Sequence, residues 1–342
     1  MPVLEKDKIL MKRQTTLGLA VLAGLCGTLA LAETRINAAG ATFPYPIYSK
    51  WFNEFKAEKG VEINYQSIGS GGGISQLTQG TIDFGASDRP VTDAEIAKMK
   101  SKPVIFATVL GGIVPTYNVP GISKDMKFTG EALADIFLGK ITKWNDQALK
   151  AANPGVNLPG SDIVVVHRSD GSGTSFVFTD YLSKVSAEWK SKVGSNQSPN
   201  WPVGLAAKGN EGVAGLVKGT PGSIGYVELN YAVQNKMDYG TMKNAAGKFI
   251  KADLSSVTAA GATAKTVPAS ITNAPGATAY PISSFTYLLI PSKIDDAAKR
   301  TAITDFLKWM LVKGQTYNEG LDYAKLPASI VASEEKLISE IH

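Results

Sequence analysis

Arg168, Asp88 and a set of serine and threonine hydroxyls on glycine-rich turns are the residues of this chain whose types and spacing could do chemistry. The run Arg168-Ser169-Asp170-Gly171-Ser172-Gly173-Thr174-Ser175 offers a guanidinium, several hydroxyls and free amides just ahead of a helical pattern. A helix N-terminus favours an anion through its unsatisfied N–H groups and the macrodipole, and an arginine fork matches a tetrahedral oxyanion. Asp170 is near enough to pair with Arg168 and hold it. In Gly40-Ala41-Thr42-Phe43-Pro44 the proline is preorganised for a first helical turn, so the Thr42 and Phe43 amides and the Thr42 hydroxyl can face an anion. In Gly69-Ser70-Gly71-Gly72-Gly73 the backbone can approach a ligand closely, and Ser70 adds a hydroxyl. This is not a P-loop, because the Gly-Lys-Ser/Thr ending is missing. Each turn alone also fits a plain strand-to-helix connection; together they point to an anion cage.

The fourth turn, Ser87-Asp88-Arg89-Pro90, narrows the anion. A carboxylate would repel a fully ionised guest, so it fits one that carries a proton. Hydrogen phosphate has an O–H to donate and sulfate has none. Sites built around one specific hydroxyl reject analogues lacking it by roughly 10⁴–10⁵. Taken by itself, Asp88 also fits as the N-cap of a helix starting at Thr92. Arg89 either raises the local positive potential or faces solvent, and is not a ligand.

An enzyme is the main competing class, and the inventory argues against it. The chain has two histidines, His167 and His342. No Ser-His-acid set is evident, and Gly-Ser-Gly-Thr is not the Gly-x-Ser-x-Gly of a nucleophile elbow. A metallophosphatase would need several converging ligands that include histidine. The expectation is a binder with no catalytic residue, no metal and no cofactor. The alternative is a binder for another tetrahedral oxyanion.

These turns must be carried by strands and helices. Short apolar runs alternate with helical stretches, which predicts an α/β protein with largely parallel sheets. Strands are expected over 36–39, 62–67, 82–86, 104–118, 163–167, 224–228 and 284–290. Helices are expected to start at Pro44, Gly72, Thr92, Thr129, Ser172, Glu211 and Asp296. Thr129 and Asn210 have the chemistry of N-caps. The segment 243–279, rich in Ala, Gly, Thr and Ser, reads as a peripheral excursion of loops and short strands, and 296–312 as a helix packed on the first domain.

The 342 residues suffice for two ordinary domains. The N-terminus reads as a cleavable leader: Lys12 and Arg13, an apolar stretch over 17–31, then Ala30-Leu31-Ala32. Cleavage is expected after Ala32 and the true start at Met11, with 1–10 an upstream extension. Cys26, the only cysteine, lies in that leader, so the mature chain has neither disulfide nor thiolate metal site. Losing four positive and two negative charges over 1–32 takes the net charge from +5 to +3. No basic run accompanies it, which argues against nucleic acid.

The segments AGATFPYPIYSKW, INYQSIGSGGG, DFGASD, DGSGTSFVFTDYL, GNEGVAGLVKGTPGSIGYVELNYA and LDYAKLP resemble, in order and spacing, the periplasmic phosphate-binding proteins of the Pst ABC importer. DGSGTSFVFT with its upstream arginine is the most specific of them. The resemblance implies a bilobal periplasmic-binding-protein fold of two α/β domains joined by a two-crossover hinge. Lobe one would take 33–116 plus 284–342, and lobe two 117–283. It implies a phosphate site made of Thr42, Phe43, Ser70, Asp88, Arg168, Ser172, Gly173 and Thr174, with Asp170 supporting the arginine. It also implies a monomer in the periplasm that delivers inorganic phosphate to an inner-membrane ABC permease. Gly71 departs from the family, whose members often place a second serine there.

Overall fold

The structure is a computed structural model and describes residues 34–122 and 125–342. The leader, its cleavage after Ala32, the Met11 start and Cys26 lie outside the described residues.

The alternation read from the sequence is present. In chain order the main elements are β1 (Arg35–Gly40), α1 (Tyr45–Lys59), β2 (Glu62–Ser67), α2 (Ser70–Gln79), β3 (Phe84–Ser87), β4 (Pro103–Asn118), α3 (Gly130–Phe137), β5 (Val164–Arg168), α4 (Gly173–Val185), β6 (Leu205–Ala207), α5 (Gly209–Gly219), β7 (Ser223–Glu228), β8 (Ser283–Pro291) and α6 (Ala297–Val312). One nine-stranded sheet runs β2-β1-β3-β8-β4-β7-β5-β6, with Asp238–Tyr239 alongside β4.

The expectation of largely parallel sheets is corrected. β1 is parallel to β2 and β3, and β5 to β6 and β7. β8, however, runs antiparallel to both β3 and β4, and β4 antiparallel to β7. The reason is β4, whose residues 103–112 pair with β8 and whose residues 113–118 pair with β7. A fully buried apolar run announces a strand but not its direction.

Local signals explain several boundaries. Gly60 closes α1 in the left-handed conformation at φ 69°. Thr129 caps α3 by accepting the Ala132 N–H. Helix α2 begins at Ser70 rather than Gly72, entered from Gly69 at φ 86°. Helix α5 begins at Gly209, and Lys208 at its N-cap makes no side-chain cap; Asn210 therefore sits inside the first turn instead of capping it. The 243–279 segment is more ordered than expected: Asp253 caps a helix, Leu254–Gly261, whose Val257 and Ala260 are buried. Helix α6 packs on α1, with Phe306 5.3 Å from both Phe52 and Phe55, ring centre to ring centre. Such aromatic pairs add about 0.5–1.5 kcal/mol beyond area burial.

Candidate functional site

Every anion-binding turn predicted from the sequence follows the C-terminal end of a strand: β1 to Thr42, β2 to Ser70, β3 to Asp88 and β5 to the Arg168–Thr174 loop. The sheet order brings these ends to one place. The Gly71 N–H donates to the Gly171 carbonyl at 2.8 Å, so two of the turns touch. A Cβ built on Gly173 would lie 2.3 Å from Ser70 Oγ and 2.5 Å from Asp88 Oδ2, which is why that position must be glycine. Gly71 is less tightly confined, with its Cβ position 3.1 Å from the Gly171 Cα, so a side chain there would press on the opposite turn and make it yield slightly.

Arg168 is 3% exposed, and its guanidinium is held by Asp170 through Nε–Oδ1 at 2.8 Å and Nη2–Oδ2 at 2.6 Å. Asp170 also accepts the Gly209 N–H at 3.1 Å. Burial alone would raise the Asp170 pKa; the hydrogen bonds and charge of Arg168 more than reverse this and hold it below the usual range. The third guanidinium nitrogen, Nη1, is buried and has no partner among the described residues. A buried, unpartnered cationic donor is costly unless an acceptor meets it.

The hydroxyls are arranged in a consistent sense. Ser172 Oγ caps α4 by accepting the Ser175 N–H at 2.9 Å. Thr42 Oγ1 and Thr174 Oγ1 accept from Asn210 Nδ2 at 2.7 and 3.1 Å. Ser70 Oγ accepts the Asp88 N–H at 3.2 Å. Thr42, Ser70, Ser172 and Thr174 are all at most 2% exposed. Each hydroxyl oxygen thus already receives a protein N–H and keeps its own proton to give. The Thr42, Phe43, Gly173 and Thr174 amides have no acceptor among the described residues.

Asp88 is the exception in this wall of donors. It is 2% exposed, and its Oδ1 accepts the Thr286 hydroxyl at 2.8 Å. Burial pushes its pKa up to about 7, against the opposing pull of Thr286, Arg168 and Ser70. It does not cap the next helix, because Thr92 does so in a capping box with Glu95.

Arg89 neither faces solvent nor enters the site. It is 5% exposed, forks onto Glu95 (2.9 and 2.5 Å) and donates Nε to Gln197 Oε1 at 3.0 Å. The Gln197 carbonyl in turn accepts the Ser172 N–H at 2.8 Å. His167 stacks on Trp201 with ring centres 4.9 Å apart, a packing role.

Sequence reasoning missed four residues that shape the site: Asn210, Thr286, Gln197 and Tyr226, whose hydroxyl accepts the Arg168 N–H at 3.2 Å. Only Asn210 carried a signal, the Gly-Asn-Glu start of a helix, and it suggested a cap.

Fold and site together define a solute-binding protein. The family model for the PBP superfamily domain matches residues 28–313. The chain is 49% identical to the phosphate-binding protein PstS of Xylella fastidiosa (strain Temecula1) over 309 residues, covering 89% of this chain and 84% of that one. It is 45% identical to PstS of Pasteurella multocida over 320 residues, covering 91% and 92%. Among solved structures it shares the fold of a high-affinity periplasmic phosphate-binding protein, PfluDING, bound with phosphate (TM-score 0.71, 19% identity, covering 88% and 92%). It also shares the fold of a putative phosphate transporter substrate-binding protein from Clostridium perfringens (TM-score 0.64, 21% identity, covering 86% and 100%). The chain belongs to the PstS family of phosphate-binding proteins within the PBP superfamily.

Proposed function

We propose that this chain binds hydrogen phosphate and hands it to an ABC-type importer, acting as a binding protein and not as an enzyme. The observation that carries this reading is the polarity of the site. Buried hydroxyls and amides are left with protons to donate, Arg168 Nη1 is unpartnered, and the Asp88 carboxyl can take one proton back. That inventory suits a tetrahedral anion with one O–H. Charge-assisted hydrogen bonds contribute roughly 1.5–3 kcal/mol each, and micromolar affinity needs only about 8 kcal/mol.

On this reading Thr42, Phe43, Ser70, Asp88, Arg168, Ser172, Gly173 and Thr174 are the ligand set and Asp170 supports Arg168. Residues 33–116 plus 284–342 form one lobe and 117–283 the other, with β4 and β8 near the crossovers. Contacts from both lobes give the closed state its higher affinity, and that difference drives closure. The protein works in the periplasm as a monomer, after cleavage of the leader near Ala32, and meets an inner-membrane permease.

Isothermal titration of protein stripped of ligand tests the reading. Phosphate should bind stoichiometrically and sulfate should not compete at equal concentration. Equal binding of the two, or steady release of phosphate from aryl phosphates at catalytic rates, would overturn it.

A further inference from the structure

Asn210 ties together turns that are far apart in sequence. Its Nδ2 donates to Thr42 Oγ1 at 2.7 Å and to Thr174 Oγ1 at 3.1 Å, and its backbone N–H also points at Thr42 Oγ1, at 3.3 Å. The other end of the amide is fixed as well: Oδ1 accepts the Glu228 N–H at 3.0 Å. A backbone N–H can only donate, so the oxygen must lie on that side and the nitrogen on the side of the two threonines. Asn210 is 0% exposed, and no solvent competes for these bonds.

A hydroxyl whose oxygen is engaged by an amide must send its proton elsewhere. We infer that Asn210 is a positioning residue that fixes the Thr42 and Thr174 hydroxyls as donors toward the bound oxyanion. The inference rests on the phosphate reading and deepens it. One nitrogen bridging two hydroxyls also sets the distance between the turns that carry them. Orientation set before the ligand arrives is orientation the ligand does not have to impose. The residue type is specific. An aspartate would accept both hydroxyl protons and reverse their sense, a glutamine is one methylene too long, and a leucine would free the Thr174 hydroxyl to turn into the protein and leave Thr42 held only by the long backbone N–H contact.

A mutant cycle read by calorimetric titration with inorganic phosphate tests this on the full chain. Asn210→Asp and Asn210→Leu are each made in the native background and in a Thr42→Val, Thr174→Val background; Thr42→Val alone serves if the double background binds too weakly to titrate. In the native background both should weaken phosphate binding about ten-fold or more, the effect of losing one good hydrogen-bonded contact. In the valine background Asn210→Leu should cost less than about two-fold, and Asn210→Asp only what its charge adds, since charge repulsion is the same in both backgrounds. Thermal unfolding of each variant separates lost stability from lost binding. Asn210→Asp keeps the acceptor for Glu228 and carries the cycle if Asn210→Leu fails to fold. Undiminished losses in the valine background, or native affinity in Asn210→Leu, would overturn the inference. A native protein that ignored phosphate would instead sink the functional reading, whereas native binding with an additive cycle sinks only the role of Asn210.

Discussion

Asp88→Asn separates selectivity from affinity. Asp88 holds Thr286 with one carboxylate oxygen and has the other beside Gly173, where α4 begins. In the asparagine variant the oxygen can stay on Thr286, and an NH₂ then takes the place of the second oxygen. Phosphate loses its only acceptor, worth roughly 1.5–3 kcal/mol, or about ten- to a hundred-fold in affinity. Sulfate gains a donor and escapes a repulsion. The phosphate-to-sulfate ratio should therefore contract by about a hundred-fold or more, out of the 10⁴–10⁵ that such sites reach. The assay is competitive calorimetry at pH 8, where Asp88, with its pKa pushed up to about 7, is ionised in the native protein. An unchanged ratio would refute the role of Asp88 as proton acceptor. The ligand-free protein supplies a second readout. A carboxyl raised on folding from 3.8 to about 7 contributes stability that is present below its unfolded value and is lost as pH rises through 7. At about 1.36 kcal/mol per pKa unit, this is on the order of 4 kcal/mol. Asp88→Asn should flatten that part of the melting-temperature profile, and an unaltered slope would argue that the carboxyl is not desolvated.

Arg168→Ala should cost several kcal/mol of phosphate binding by calorimetry, because the donor set loses its cation and Asp170 is left unpaired; a loss under about 1 kcal/mol, typical of exposed pairs, would put Arg168 outside the site. Gln197→Ala removes the Arg89 contact but keeps the carbonyl that accepts the Ser172 N–H. Stopped-flow release of phosphate should then quicken about five-fold with association unchanged, since one hydrogen bond of about 1 kcal/mol is lost from the closed form; slower association with unchanged release would contradict this. Glu334 is 0% exposed and burial pushes its carboxyl up to about 8, so its folded value exceeds its unfolded one and stability falls as pH rises through 8. At about 1.36 kcal/mol per pKa unit, Glu334→Gln should raise stability by about 5 kcal/mol at pH 9 and by about 2 kcal/mol at pH 6; equal effects at both would show that ionisation is not the cause.

The parts of the site legible in the sequence were those whose chemistry is local. Glycine turns between strand and helix, a proline in a first turn and an arginine two residues before its aspartate each carry their meaning within a few residues. Asn210 shows where that ends. Its side chain looks like a cap because Asn often is one, but α5 starts one residue before it, at Gly209 with φ 73°, and this turns Asn210 toward Thr42 and Thr174 instead. Gln197 lies in a stretch with no motif and matters only because folding brings it to Arg89, 108 positions away in sequence. Thr286 is an unremarked residue of β8 until that strand lies antiparallel to β3 and presents its hydroxyl to Asp88. Strand direction had the same origin: the apolar pattern of β4 is identical whichever way its neighbours run.

Gly71 and Gly171 meet with no side chain between them, and a methyl on either would force the opposite backbone to yield by a few tenths of an ångström. The seam therefore behaves as a shim slot of zero thickness. Filling it with Ala and then Val would part the two turns in graded steps. On the reading proposed above, affinity would slide downward while Asp88 went on choosing the ion, which makes this pair, and not any contact group, the place to build a phosphate sensor for higher concentrations.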